Sequence, residues 1–126
     1  MSKYLLDTHT LIWFAENNEK LPQKVAQLIL DENNLVFVSI ASLWEITIKK
    51  SMGKLDIDLY EILDKTIFAE FAIMQVKTEY LKVLVNLPFI HKDPFDRLLV
   101  STAKSENMKI LTADENIHKY EVECVW

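Results

Sequence analysis

Four carboxylates stand at the edges of apolar stretches of this chain. Asp7 directly follows the run Tyr4-Leu5-Leu6, Glu45 lies inside SLWEITIKK, Asp96 closes HKDPFD ahead of another apolar run, and Asp114 falls in LTADEN. If the fold gathers them, they repel one another and raise one another's pKa. A hard divalent cation removes that conflict, because Mg²⁺ or Mn²⁺ prefers oxygen ligands and keeps several waters. The formal charge agrees: it is −5, and without these four acids it would be −1.

Each acid also has a purely local explanation. Asp7 can cap a helix beginning at Thr8. Glu45 can close a capping box with Ser42 or pair with Lys49 one helical turn on. Asp93-Pro94 is a strong helix start, cap followed by proline, which leaves Asp96 in a first turn where the helix dipole favours negative charge. Asp114 can be a turn residue, beside a possible capping box of Thr112 and Glu115. The helix after Pro94 should expose Arg97, Ser101 and Lys104 and bury Phe95, Leu98, Leu99 and Thr102. Asp96 then falls at the border between the two faces, pointing towards a cleft.

The elements that must position these acids alternate. Apolar runs at 4–6, 35–38, 72–76, 108–111 and 122–125 read as strands, and the patterns at 8–16, 22–31, 40–51, 59–70, 78–85 and 94–105 read as helices, with a short turn or helix at 113–118. The strands are continuously apolar rather than alternating, as in a parallel sheet covered on both faces. Strand–helix alternation points to the same α/β architecture, in which groups just after the strands meet at one sheet edge. Asp7 and Asp114 follow strands, and Glu45 and Asp96 fall in first turns of helices, so this topology would bring them together.

Composition excludes several functions. Gly53 is the only glycine, where about nine would be average, so neither GxGxxG nor a Walker A loop can exist. Cys124 is the only cysteine, and His9, His91 and His118 are scattered. That forbids an internal disulfide, matches no zinc-ligand spacing, and leaves the histidines as ordinary surface or satisfied polar positions. A single arginine, Arg97, and the acidic balance exclude a broad basic nucleic-acid surface. Asp7 interrupts the first apolar run at once and the longest apolar stretch is short, so the expectation is one soluble cytoplasmic domain over 1–126 without a signal peptide or a membrane span.

Four segments carry a family resemblance: LLDTHTLIWF (5–14), SLWEITIKK (42–50), HKDPFDRLLVSTAK (91–104) and ILTADENI (110–117). The chain resembles the PIN domains, in particular the VapC-like toxins of toxin–antitoxin pairs, over nearly its whole length. The resemblance implies a three-layer α/β/α fold with a central parallel sheet of about five strands. It implies a ribonuclease dependent on one or two Mg²⁺ or Mn²⁺ ions, usually a homodimer, held inactive by a cognate antitoxin. By position, Asp7, Glu45 and Asp96 match the core metal-binding acids and Asp114 the fourth. Thr112 matches the small hydroxyl residue beside that acid, and Asp93 an extra acid of open role. Asp7 and Asp96 would hold the ion directly, with Glu45 and Asp114 completing the site through waters or holding a second ion. RNA needs some positive surface, for which Lys49, Lys50, Arg97 and Lys104 are candidates, although each also reads as a solvated helix face and Arg97 as an ion-pair partner of Asp96.

Two other functions remain open. An aspartyl-nucleophile phosphatase also places Asp after its first strand, but needs a second acid two residues later, where this chain has His9. A protein-binding module would keep the scaffold without turnover and use exposed aromatic and Met side chains for a partner helix.

Overall fold

The computed structural model describes residues 2–126. In chain order the elements are β1 (Lys3–Leu6), α1 (Thr8–Glu16), α2 (Gln23–Leu30), β2 (Leu35–Ser39), α3 (Ile40–Ser51), α4 (Leu59–Phe68), β3 (Ala72–Met74), α5 (Thr78–Leu84), α6 (Pro94–Glu106), β4 (Lys109–Leu111), α7 (Glu115–His118) and β5 (Cys124–Val125). The strands form one sheet in the order β3-β2-β1-β4-β5. Every neighbouring pair is parallel. The order reverses direction between β1 and β4, so the crevice beyond their carboxyl ends is the topological switch point, where open α/β sheets bind ligands.

The period-2 geometry of the strands divides the core. Tyr4, Leu6, Val36, Val38 and Leu111 face one layer, with Leu11, Ile29, Leu43, Ile46 and Ile62 from α1 to α4. Leu5 and Ile110 face the other, with Leu99, Val100 and Ala103 of α6 and Ile117 of α7. Successive side chains of a strand point to opposite faces, so Leu5 and Leu6 alone commit β1 to a sheet covered on both sides. The result is the expected three-layer α/β/α arrangement. Among the described residues no helix is long and apolar enough to cross a membrane.

Helix ends follow local chemistry. Ser39 caps α3 by accepting from Ala41 N. Beyond α3, Gly53 takes φ +72°, while its N–H and that of Lys54 donate to Lys50 O and Lys49 O, the double bond of a Schellman ending. With one glycine available, Asn17 and Asn107 take the left-handed positions that end α1 and α6. Asn tolerates this conformation better than most residues.

The structure corrects several expectations. The Ser42–Glu45 capping box does not form, because α3 starts at Ile40, and Glu45 lies in its second turn rather than its first. Pro22 is the cap position of α2 and not its first helical residue. Beyond α4, Glu70 turns with φ +60°, and β3 and β5 are short edge strands. The faces of α6 also differ from expectation. Arg97 and Ser101 are buried, and only Lys104 of the proposed stripe is exposed. The turn at 87–92 folds back over this side of the helix and covers Arg97.

Candidate active site

Parallel register sets the centre of the site. Leu6 lies opposite Leu111, so the next residues, Asp7 and Thr112, emerge side by side at the switch point. Thr112 Oγ1 donates to Asp7 Oδ2 at 2.5 Å and accepts from Asp114 N at 3.0 Å. Asp7 Oδ1 accepts from Thr10 N at 2.7 Å. The local and functional readings of Asp7 therefore coincide: one oxygen caps α1 and the other faces the neighbouring strand end. Asp7 and Thr112 are both buried. Asp114 likewise caps α7 through Asn116 N, and the Thr112–Glu115 capping box is replaced by that bond.

Glu45 enters from α3 and is only 3% exposed. A buried carboxylate must be satisfied. Thr8 Oγ1 donates to its Oε1 at 2.7 Å, and Lys49 Nζ lies 2.8 Å from its Oε2. Ile46 beside it is fully buried, and burial of such a side chain stabilises by roughly 1.5–3 kcal/mol, which anchors the turn that carries Glu45. The Glu45 bond holds the Lys49 ammonium above the usual lysine range against the effect of its partial burial, and the charges of Asp93 and Asp96 add to the rise. The ends of α3 and α6 therefore share one electrostatic field.

Asp93 caps α6 by accepting from Asp96 N at 3.0 Å, as its pairing with Pro94 predicts. Asp96 is half-buried in the first turn, its Oδ2 3.2 Å from His91 Nε2. Burial pushes its carboxyl up to about 6; the Asp93, Asp114 and Asp7 charges push the same way, against the His91 bond. Four of the acids singled out in the sequence thus act on one another, and Glu45 joins through Thr8 and Lys49.

Oxygen donors in an electrostatically strained, partly buried cluster suit a hard divalent cation. Among the described residues, no group of three or more His, Cys, Asp or Glu side chains is closed tightly enough to hold a metal ion. The carboxylates are tied instead to Thr10, Thr112, Thr8, Lys49 and His91. Each carboxylate oxygen carries two lone pairs, so these bonds leave Asp7 and Glu45 further acceptor capacity. The donor chemistry fits a divalent ion, and Asp7, Glu45, Asp96 and Asp114 are the residues that could hold it.

Two expected roles change. Arg97 is no surface cation. Its guanidinium donates to Pro88 O at 2.8 Å, Tyr120 Oη at 3.0 Å and Leu87 O at 3.4 Å, and lies 4.2 Å from the centre of the Phe89 ring. Lys104 is exposed, but it sits eight residues beyond Asp96 and bonds to Glu121 O at 3.2 Å. Eight helical residues span about 12 Å, which places it at the far end of α6 from the acids.

Sequence reasoning missed Thr8, His91 and Tyr120. His91 Nδ1 lies 2.8 Å from Tyr120 Oη, so Tyr120 links His91 to Arg97 and the three brace Asp96. A signal existed for Thr8, which adjoins Asp7. For His91 the only hint was its place five residues before Asp96, and for Tyr120 there was none.

An all-parallel α/β sheet with carboxylates gathered at its switch point defines a class of proteins that present an acidic centre on strand-end loops. The chain belongs to the PIN domain family, whose sequence profile matches residues 4–123. Comparison with curated proteins gives no significant match. Among solved structures, VapBC2 from Rickettsia felis, bound to a promoter DNA fragment, matches with a TM-score of 0.73 at 18% identity, over 98% of this chain and 98% of that one. DNA-bound VapBC from Salmonella typhimurium matches with a TM-score of 0.71 at 16% identity, over 99% and 98%. FitAcB from Neisseria gonorrhoeae gives 0.69 at 20% identity, over 98% and 96%. At these identities the likeness is one of fold.

Proposed function

We propose that this chain is a Mg²⁺- or Mn²⁺-dependent endoribonuclease, the toxin of a toxin–antitoxin pair. The observation that carries the reading is geometric: strand register brings Asp7 and Thr112 side by side at the switch point, Asp114 N bonds to the same hydroxyl, and the charges of Asp93, Asp114 and Asp7 act on the half-buried Asp96 carboxyl. Clustered carboxylates of that kind favour a bound divalent cation over free ionised acids. Membership of the PIN domain family supports a nuclease role, and the fold likeness to chains of VapBC and FitAB assemblies supports a cognate antitoxin as partner. The family resemblance adds a homodimer to this reading, and the lone Cys124 fits a reducing cytoplasm.

In this reading Asp7 and Asp96 hold the ion, and Glu45 and Asp114 complete its surroundings. When bound, the ion supplies Lewis-acid activation of the attacking water and offsets the charge of the scissile phosphate. The chain's own residues set the geometry. Thr10 N and Thr112 Oγ1 hold Asp7 from its two oxygens. Thr8 and Lys49 do the same for Glu45. His91 orients Asp96. An aspartyl-nucleophile chemistry lacks its general acid, since His9 is exposed and stands beside the Trp13 ring.

The direct test is digestion of total cellular RNA by the purified protein, with Mn²⁺ and with chelator. Cleavage in Mn²⁺ that stops on chelation is the expected result. No cleavage together with no Mn²⁺-induced rise in thermal midpoint would favour a protein-binding module instead. Thr112→Val tests the bracing of Asp7, because it keeps the buried volume but removes the hydroxyl. It should slow cleavage by about 10–100-fold, the range for residues that only orient a ligand, with Thr112→Ser restoring most of the rate. An unchanged rate in the Val variant would count against this role.

A further inference from the structure

Two aromatic residues adjoin the acids in sequence and lie outside both core clusters. Trp44 precedes Glu45 on α3 and is 62% exposed, while Glu45 itself is 3% exposed. Phe95, half-buried, precedes Asp96 on α6. Their rings meet edge to face, centroids 5.5 Å apart and planes inclined at 71°. In an edge-to-face pair neither ring covers both faces of the other, Trp44 is largely exposed, and the pair bridges the two elements that deliver Glu45 and Asp96. We propose that Trp44 and Phe95 form a stacking platform that holds an unpaired nucleobase next to the scissile phosphate. The proposal deepens, and rests on, the ribonuclease reading.

Charge explains why the site would need such a platform. The net charge is −5 and the only arginine is buried under the turn at 87–92. Lys49 is paired with Glu45, and Lys104 lies at the far end of α6. Of the four candidate cations only Lys50 is exposed and without an ion pair or carbonyl bond among the described residues, so capture of RNA through phosphates is limited at the acids, which repel them. A nucleobase is uncharged and has a π-face whatever its identity, and an aromatic ring binds it without regard to sequence. Bases in a duplex are already stacked, so the platform selects single-stranded RNA or loops. Trp44 and Phe95 are then substrate-positioning residues, and neither takes part in proton transfer or metal binding.

The experiment has two arms. In the first, wild type, Trp44→Ala and Trp44→Phe digest total cellular RNA in Mn²⁺ at limiting and saturating substrate. In the second, the cleavage-silent Asp96→Asn protein binds short single-stranded oligoadenylate, followed by tryptophan fluorescence and by anisotropy. Trp44→Ala should raise KM and weaken oligoadenylate binding by about 5–30-fold, with kcat little changed. Trp44→Phe should restore binding to within about threefold. The part of the fluorescence quenching that comes from Trp44 should be lost in the Asp96→Asn, Trp44→Phe double variant, leaving only what Trp13 and Trp126, which pack against each other, contribute. Equal binding and equal KM in Trp44→Ala would overturn the platform. So would a loss that coincides with dissociation of a dimer into monomers on size exclusion, since Trp44 would then serve a subunit contact. If wild type cleaves no RNA, the ribonuclease reading fails by itself; the oligoadenylate arm still judges the platform.

Discussion

Replacing Asp96 by Asn is expected to stop RNA cleavage and, in the same protein, to raise the thermal midpoint measured without metal. Both effects come from one carboxylate. In the proposed mechanism Asp96 holds the ion, and its loss should cost more than the about 100-fold upper range for residues that merely orient a ligand. Without metal the same charge destabilises. Its carboxyl is pushed up to about 6 from its ordinary 3.8, by burial first and by three other acids next. The folded protein therefore binds more protons than the unfolded chain between those values. Stability contributed by this group falls as pH rises through that window, and the cost is complete above about 6. Asn carries no charge and escapes it. The expected gain at pH 7 is about 2–6 °C in midpoint, and the gap between variant and wild type should narrow as pH is lowered from 7 towards 5. Differential scanning fluorimetry in chelator across that range measures it. Added Mn²⁺ should reverse the order, stabilising wild type and leaving Asp96→Asn unmoved. An Asn variant that cleaves at the wild-type rate would end the assignment of Asp96.

Arg97→Ala should produce the largest loss of stability among the polar positions discussed. Although this is the chain's one arginine, it touches the surface hardly at all. Its guanidinium satisfies Pro88 O, Leu87 O and Tyr120 Oη and packs on Phe89, so it pins the turn at 87–92 to α6 and, through Tyr120, supports His91. Truncation leaves buried acceptors without donors, each costing about 1–3 kcal/mol if water cannot reach it. Some solvent will reach the carbonyls, so the expected loss is about 2–4 kcal/mol in chemical denaturation. Arg97→Lys should recover only part, because an ammonium lacks the planar fork that reaches several acceptors at once. A surface RNA-binding arginine would behave in the opposite way, with unchanged stability and weaker RNA affinity, so the two measurements together separate the roles. Cleavage should fall indirectly as Asp96 loses its bracing by His91.

Much of the fold was legible because its signals are local. Continuous apolar strands separated by helical patterns require a sheet covered on both faces, and Leu5 and Leu6 facing opposite layers are that requirement made concrete. The start of α6 was legible for a similar reason, since Asp93 and Pro94 carry the cap and the fixed φ within two residues. Boundaries were less legible at the sheet edges. There β3 and β5 have one neighbour each, so composition constrains pairing weakly. Glu45 shows the limit of a local rule: Ser42 and Glu45 had the spacing of a capping box, but Ser39 stood earlier and took the cap.

By itself the sequence determined the order of elements, the all-parallel α/β class, the absence of glycine-rich phosphate loops and the acids that line one sheet edge. Only the tertiary structure decided which atoms meet. Thr112 and Asp7 are 105 residues apart, and Thr8 and Glu45 are 37 apart. No periodicity encodes such contacts, because they depend on strand register and on how far each helix is rotated about its axis. Arg97 shows the same division. Its place on the helix was known, but exposure was misread because another segment, the turn at 87–92, supplies the carbonyls that bury it. A helical pattern reports which side of a helix is apolar. What covers the other side is settled by packing between distant segments, and a buried cation is tolerated there only because that packing delivers its acceptors.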